Sequence, residues 1–345
     1  MSSIDEIMKK MNKESGSTVV KYGVADFSGF KRIPFTSPRL NYMTYGGLPV
    51  GKLIEFFGEE HGGKTTTALD VVANYQQMED ARKVLYVDAE NTLDIDWARK
   101  IGVDTDDENF ITFNPTQHSA EAIFQFVLDM METDEIGLVV IDSIGVMVSS
   151  QAMEKSVEEK TYAGISMALT NFSEKAVQMG QKTKCTTICI NQLRDDLNSQ
   201  WGGVKTPGGR AYKHNCTVRM RFSRGSFIDE RGDELKRSSE SPAGNIVLVS
   251  MEKNKSCPPN RRTGFYTINY EYGVDYLKDL VELAIKYGVI EKAGAWFSII
   301  NPDTGEQIVK LQGQANVNAY LEDEDNEETL TLIENYVDSK INMPA

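Results

Sequence analysis

The sequence predicts an α/β protein: a doubly wound, mostly parallel sheet with helices on both faces, a short helical arm before it and a small α+β unit after it. Three observations carry this. Between about residues 50 and 191, apolar runs of strand length alternate with helix-period stretches, which is the grammar of a parallel sheet covered on both faces. After residue 205 the alternation gives way to three successive strand-like runs, at 216–222, 245–251 and 265–270, suggesting antiparallel additions to that sheet. From residue 274 a shorter mixture of helix and strand patterns begins. With 345 residues, 40% of them hydrophobic and 26% charged, the chain has ample material for a core and is not a disordered one.

The elements follow in order. Ile4, Ile7, Met8 and Met11 recur at helical spacing, so 3–13 reads as an amphipathic helix. A helix this short is marginal alone and is expected to pack on its own core or on another subunit. Ser15-Gly16-Ser17 breaks the pattern, and 19–38 shows no clear element. Then come a strand at 53–57, a helix at 65–77, a strand at 83–88 and a helix at 94–101. Strands at 110–113, 137–141 and 185–191 alternate with helices at 119–131 and 162–179. The last unit reads as a helix at 276–287, strands near 295–300 and 307–311, and helices near 316–321 and 327–341. The domains expected are therefore an arm at 1–37, a core at 38–270 and a C-terminal unit at 271–345.

Charge is uneven along the chain. The formal net charge is −14, which argues against a protein coated with nucleic acid, yet residues 321–345 carry eight acids against one base, Lys340. By contrast, residues 205–224 contain Lys205, Arg210, Lys213, Arg219, Arg221 and Arg224 and no acid. That basic strip is either a solvated strand edge or an anion-binding surface. No apolar run spans a bilayer, because Asp142 interrupts the best candidate at 136–152, and the N-terminus lacks the basic end and apolar middle of a signal peptide. A soluble cytoplasmic protein with no membrane partner is expected. Cys185, Cys189, Cys216 and Cys257 are too few for a disulfide scaffold and form no C-x-x-C pair, so packing is their expected role.

One loop carries most of the chemistry. Gly58-Glu59-Glu60-His61-Gly62-Gly63-Lys64-Thr65 matches G-x-x-x-x-G-K-[ST] and lies between an expected strand and an expected helix. A loop that wraps a triphosphate must turn backbone N–H groups inward, which glycine permits. The helix N-terminus adds a favourable dipole, the Lys reaches the outer phosphates and the Thr hydroxyl joins Mg²⁺. The run 138–142 is a buried strand ending in Asp142, which suits a second carboxylate on the Mg²⁺ side; Thr65 and Asp142 are thus the expected metal ligands. A neighbouring strand, 84–88, also ends in acids, and Glu90 is a candidate to orient the attacking water.

At this point the chain resembles the RecA family of homologous-recombination ATPases. The residues that carry the resemblance run in order: Gly46 to Gly51, the phosphate loop followed by Thr66-Thr67, Asp88-Ala89-Glu90 with Leu93-Asp94 and Trp97 to Lys100, Val140 to Ser143, Ile190-Asn191-Gln192-Leu193-Arg194, Gly208-Gly209, Lys253-Asn254-Lys255, and Ile290 to Trp296. The Asn-Gln-x-Arg strand end, the Gly-Gly pair and the Lys-Asn-Lys are specific to recombinases. The resemblance implies that Glu90 activates water and that Gln192 senses the γ-phosphate and links it to a DNA loop beginning at Leu193. It implies that Lys253 and Lys255 reach the phosphates of a neighbouring subunit. Thr66 would extend the phosphate contacts, and Asp94, Trp97 and Tyr270 would contact adenine, Trp97 standing where the family usually has tyrosine. The cofactors implied are ATP and Mg²⁺; the partners are single-stranded DNA, double-stranded DNA and further copies of the chain in a helical filament.

The residues and the resemblance converge on a DNA-binding segment. Residues 193–213 hold Arg194, Trp201, Lys205, Gly208, Gly209, Arg210 and Lys213, and glycine-rich backbone with cations and one large aromatic is what sequence-independent single-strand binding requires. The family's first DNA loop falls near 153–163, where Glu154, Glu158 and Glu159 make this chain acidic, and Ala168 stands in the next helix without an arginine to open it. Glu59 replaces a usual proline, and His61-Gly62 is an unusual loop crown, read as solvated rather than catalytic. The N-terminal helix resembles a polymerisation arm. The C-terminal unit resembles a duplex-gating domain in which Lys278, Lys286, Lys292 and Lys310 are candidate phosphate contacts. The activity implied is ATP-dependent strand exchange on single-stranded DNA. A filament scaffold that switches with ATP but exchanges no strands, and a hexameric helicase, are the alternatives.

Overall fold

The computed structural model describes residues 3–14, 31–106, 108–154, 164–195, 203–230, 232–236 and 241–341. The helix Ile4–Glu14 belongs to a unit separate from the rest. Asp5 and Glu6 in its first turn and Lys13 in its last complement the helix dipole, and Ile4, Ile7 and Met11 are all exposed.

The second unit is built on a sheet whose strands lie in the spatial order Gly273–Val274, Thr263–Asn269, Gly244–Asn254, Val218–Ile228, Leu53–Gly58, Thr186–Gln192, Ile136–Asp142, Lys83–Asp88 and Phe110–Phe113, with Glu234–Leu235 paired to Val218–Ile228. Pairing is parallel from Val218–Ile228 through to Phe110–Phe113 and antiparallel beyond. Successive residues of one strand point to opposite faces, so each apolar strand feeds two cores. Ile54 and Phe56 join Val84, Tyr86, Leu138, Val140, Ile188 and Ile190 under the helix Lys64–Gln76. Leu53, Leu85, Val87, Val139, Ile141 and Cys189 pack on the other face against Ala120–Glu132 and Gly164–Thr183. Cys185, Cys189 and Cys216 are buried and free, as packing residues.

Among the departures from the expectation drawn from sequence, three bear on how the site is framed. The run expected as a strand at 216–222 is the longer Val218–Ile228, and it pairs parallel with Leu53–Gly58 on one side and antiparallel with Gly244–Asn254 on the other. Gly209–Asn215, expected within a loop, is a helix entered through Gly208 at φ +104°. Pro38–Thr44 is a helix that periodicity missed, since seven residues give too few turns to show a period; Ser37 caps it, accepting from Leu40 N–H, and Pro38 stands in its first turn.

The C-terminal part adds Tyr276–Lys286, a three-stranded antiparallel sheet of Ile290–Ala293, Trp296–Ile300 and Gln307–Gln312, and the helices Gln314–Glu322 and Glu327–Ile341. Its own core of Leu280, Leu283, Phe297, Ile299, Val317 and Ile333 is joined by Tyr42 from the helix Pro38–Thr44. Asp279 is buried at that junction, where it accepts from Ser37 Oγ and from Arg39 N–H at 3.0 Å. Among the described residues no helix is long and apolar enough to cross a membrane.

Candidate nucleotide site

Gly58, Asp88, Asp142 and Gln192 are the last residues of four adjacent parallel strands, so the sheet delivers all four to one edge, where ligands bind in such folds. From Gly58 the chain turns into the helix Lys64–Gln76. Two positions in the turn tolerate no side chain. A Cβ on Gly58 would lie 2.0 Å from the Phe222 carbonyl oxygen, and one on Gly63, at φ +88°, would lie 2.8 Å from Val247 Cγ2. Glu59, Glu60 and His61 form the exposed crown, and Gly62 is buried beneath it.

Lys64 is buried, and its Nζ donates to the carbonyls of Gly58 at 3.3 Å and Glu59 at 2.6 Å. Burial lowers the pKa of this amine, against the pull of Asp142, Glu90, Glu60 and Glu59. Thr65 Oγ1 donates to Asp142 Oδ2 at 2.7 Å, and Tyr86 OH donates to the same oxygen at 3.0 Å. Burial pushes the Asp142 carboxyl up to about 6 despite both hydrogen bonds. A shielded carboxylate beside a hydroxyl is a hard-oxygen pair that suits Mg²⁺, an ion that takes few protein ligands and completes its shell with water and phosphate. Among the described residues no group of three or more His, Cys, Asp and Glu side chains is placed to hold a metal by itself.

Glu90 follows directly. The N–H groups of Ala89 and Glu90 donate to the Asp142 carbonyl at 2.7 and 3.3 Å, which fastens this turn to the neighbouring strand. Glu90 Oε1 then accepts from Gln192 Nε2 at 2.7 Å and from Ser143 Oγ, next to a cis Asp142–Ser143 peptide. The sequence singled out Glu90 and Gln192 separately, 102 positions apart; the structure puts them in contact.

A cavity of about 600 Å³ opens over this edge. The loop from Glu60 to Thr66, Glu90, Asp142 and Gln192 line its polar side, and Trp97 and Tyr270 contribute aromatic rings. Trp97 Nε1 donates to Thr66 Oγ1 at 3.4 Å, and Tyr270 OH donates to Asn245 Oδ1 at 2.9 Å. Asp94 does not line the cavity; it caps the helix Ile95–Ile101 by accepting from the Trp97 N–H at 3.0 Å, and so sets the helix that carries Trp97. Arg224, Asn245 and Thr92 also line the cavity and were not singled out as site residues. For Arg224 the missing information is pairing: Phe222, two residues earlier, is the register partner of Gly58.

Lys253 and Lys255 are not among the lining residues of their own chain's cavity. Lys253 Nζ donates to the carbonyls of Lys213 and His214, both at 2.7 Å, and Lys255 Nζ to His214 at 3.3 Å, so both cations cover the carboxyl end of the helix Gly209–Asn215. Arg194 and Lys205 face each other as register partners in a two-stranded ladder, and Arg194 Nη2 donates to the Gly145 carbonyl. Gly208 packs so closely on Leu169 that a Cβ would lie 2.5 Å from its Cδ2, whereas Gly209 meets nothing within 4 Å. Arg210 is exposed and Lys213 half-buried in the short helix. Trp201 lies outside the described residues, as do Glu158 and Glu159 of the acidic first loop; Glu154 follows the short helix Ser150–Met153. Of the C-terminal lysines, Lys278 donates to the Gly232 carbonyl at 3.0 Å, Lys286 sits 3.8 Å over the Tyr42 ring, Lys292 5.1 Å over Phe297 and Lys310 5.5 Å over Trp296.

Residues 2–275 match the RecA N-terminal domain family and residues 278–342 the RecA C-terminal domain family. The chain is 30% identical over 347 residues to the protein named RecA of Clostridium acetobutylicum, covering 100% of this chain and 93% of the relative, with the same figures for that of Clostridium tetani. It is 32% identical over 266 residues to the protein named RecA of Mesoplasma florum, covering 76% of this chain and 74% of the relative.

Proposed function

The chain belongs to the RecA family, and from that premise we infer that it is a DNA-dependent ATPase of homologous recombination, which polymerises on single-stranded DNA and pairs it with a homologous duplex. The observation that carries the reading is the contact of Gln192 Nε2 with Glu90 Oε1: one carboxylate at the nucleotide cavity is held by the residue from which the basic, glycine-rich segment departs.

The chemistry follows from the side chains. The loop from Gly58 to Thr65 cradles the triphosphate with backbone N–H groups, and Lys64 exchanges its carbonyl partners for phosphate oxygens. Mg²⁺, held through Thr65 and Asp142, would neutralise charge on the outer phosphates. Trp97 and Tyr270 flank the base. Glu90 orients the attacking water and accepts its proton once Gln192 releases the carboxylate to turn toward the γ-phosphate. Lys253 and Lys255, which do not line the cavity of their own chain, serve the cavity of the adjoining subunit, so that the site is complete only in a filament. Arg194, Lys205, Arg210, Lys213 and Trp201 track the single strand by phosphate contact and stacking. The C-terminal unit, residues 271–345, receives the duplex.

A D-loop assay with homologous and heterologous duplexes tests the reading. Joint molecules should form only with the homologous duplex and only with ATP and Mg²⁺ present. ATP-dependent binding to single-stranded DNA without joint molecules would replace it with a filament scaffold.

A further inference from the structure

Below the nucleotide edge lies a buried polar cluster that the proposed chemistry leaves unused. Glu55 stands in the middle of the otherwise apolar strand Leu53–Gly58 and is wholly shielded from solvent. Its Oε2 accepts from Arg219 Nε at 2.5 Å and its Oε1 from Asn191 Nδ2 at 2.8 Å. An apolar residue would complete this strand without desolvating a charge, so a carboxylate here is a device for orienting its partners and not a source of stability. The partner it orients is Asn191, itself wholly buried. Asn191 Nδ2 also donates to the Pro207 carbonyl at 3.2 Å, and Asn191 Oδ1 accepts from the Gln192 N–H at 3.0 Å.

These bonds close a loop. The DNA-binding segment leaves the sheet at Leu193, covalently joined to Gln192, and at Pro207, just before the helix Gly209–Asn215 that carries Arg210 and Lys213, it is hydrogen-bonded to Asn191. Both ends of its 193–207 stretch are thereby fastened to the dipeptide Asn191-Gln192, whose second member holds Glu90. Because the Glu55 and Arg219 side chains fix the carboxamide, a displacement of Pro207 cannot be absorbed by rotation of Asn191 alone; it loads the Gln192 backbone as well.

We propose that Asn191, locked by the Glu55 and Arg219 pair, is a positioning residue that transmits the state of the DNA-binding segment at Pro207 to Gln192, and through Gln192 to Glu90. This rests on the roles given above to Gln192 and Glu90, and it adds a second connection to the covalent one at Leu193.

The test separates coupling from fold support by exchanging donor and acceptor. Asn191→Asp keeps the size and an acceptor for the Gln192 N–H but places a second carboxylate beside Glu55 and loses the donor to Pro207. Glu55→Gln combined with Asn191→Asp restores a donor–acceptor pair and the number of buried charges, with the amide now at 55 and the carboxylate at 191. The Pro207 carbonyl still has no donor. The single variant should melt lower than wild type and the double variant should regain most of that loss, while both show about tenfold weaker stimulation of ATPase by poly(dT), roughly 1.4 kcal/mol of coupling. Fluorescent ATP binding without DNA should stay within twofold of wild type. A double variant with recovered melting temperature and wild-type stimulation by poly(dT) overturns the proposal. Absence of stimulation in the wild type itself would instead count against the proposed function. Should either variant fail to fold, amide hydrogen exchange on nucleotide-free wild type decides: poly(dT) should change protection of the Asn191-Gln192 amides, and unchanged protection there with bound DNA overturns the proposal.

Discussion

Arg261→Ala removes the group that fastens the carboxyl end of the last helix to the core. Arg261 Nη1 donates to the carbonyls of Tyr42 at 2.8 Å and Ile341 at 2.7 Å, and Nη2 donates to Lys340 at 3.2 Å. Its Cζ also lies 4.0 Å from the Tyr42 ring centroid and 3.7 Å from that of Tyr45. Two of the three acceptors are terminal carbonyls of Glu327–Ile341, which have no partner within the helix. A hydrogen bond from a charged donor nets about 1.5–3 kcal/mol and a partly exposed cation–π contact about 0.5–1 kcal/mol. All five contacts share one half-buried guanidinium and are not additive, so the expected loss is about 3 kcal/mol. For a chain of this size, with an unfolding entropy of about 0.7 kcal/mol/K, that corresponds to a fall of about 4 °C in melting temperature. Arg261→Lys keeps the charge without the planar fork and should lose about half as much. Urea melts give the magnitude, and hydrogen exchange across residues 327–341 gives the location. A loss below about 1 kcal/mol, with exchange in that helix unchanged, would refute the reasoning that this side chain, and not the apolar contact at Tyr42, docks the C-terminal part.

The remaining predictions concern the nucleotide, the acids and pH. Lys64→Ala should lose nucleotide binding, whereas Glu90→Gln should retain it and accumulate a DNA-bound filament with turnover reduced by about 10² or more; unchanged turnover would assign the base elsewhere. Neutralising Glu322, Asp323, Glu324, Asp325, Glu327 and Glu328 to amides should strengthen duplex binding at low ionic strength and lower the Mg²⁺ needed for strand exchange, because like charge near phosphate opposes binding until screened; equal duplex affinity across a salt titration would leave this stretch with a solubility role. Asp70 is buried and its carboxyl is pushed up to about 6 from 3.8, burial outweighing the hydrogen bonds from Thr36 and Asn74. A raised native pKa means that the native state favours the protonated form, so this group costs stability as pH rises from about 4 through about 6, by roughly 3 kcal/mol. Asp70→Asn should therefore be more stable than wild type at pH 7.5 and little different at pH 4; equal differences at both pH values would assign the effect to packing.

Much of the fold was legible because long elements repeat their own period. Ile136–Asp142 is buried on both faces and reads as an apolar run up to its terminal acid, Leu53–Gly58 is broken by one acid alone, and the helices between the strands are long enough to show their period. What escaped was short or was decided by pairing. Pro38–Thr44 spans only two turns, too few to show a period, although Ser37 before Pro38 is a local start signal, and its place is fixed by the distant Asp279, which accepts the Ser37 hydroxyl hydrogen. Ile290–Ala293 reads as polar because only Ile290 is buried; its strand state comes from the ladder with Trp296–Ile300. Gly208-Gly209 signals a break, and the structure uses that break to start a helix instead of continuing a loop.

The site divides along the same line. Lys64, Thr65, Asp142 and Glu90 stand in local patterns whose spacing has a mechanical reason, so strand ends and a glycine-rich turn suffice to find them. Asn245 and Arg224 belong to the cavity through the order of strands, which no local pattern carries, and Asp94 shows the converse: a residue marked by the family resemblance whose side chain here caps the helix of Trp97. Glu55 is the instructive case. In the sequence it is one acid interrupting Leu53, Ile54, Phe56 and Phe57, an interruption that a solvated strand face would explain equally well. Only burial makes it anomalous, and only the partners make the anomaly informative. A charge kept in the middle of a buried strand, bonded to Asn191 beside Gln192 and to Arg219, whose register partner is Lys253, sits where the segment beginning at Leu193, the strand end beneath the cavity and the strand bearing Lys253 meet. That placement is what the proposed coupling of hydrolysis to DNA requires, and the exchange of donor and acceptor between 55 and 191 tests it.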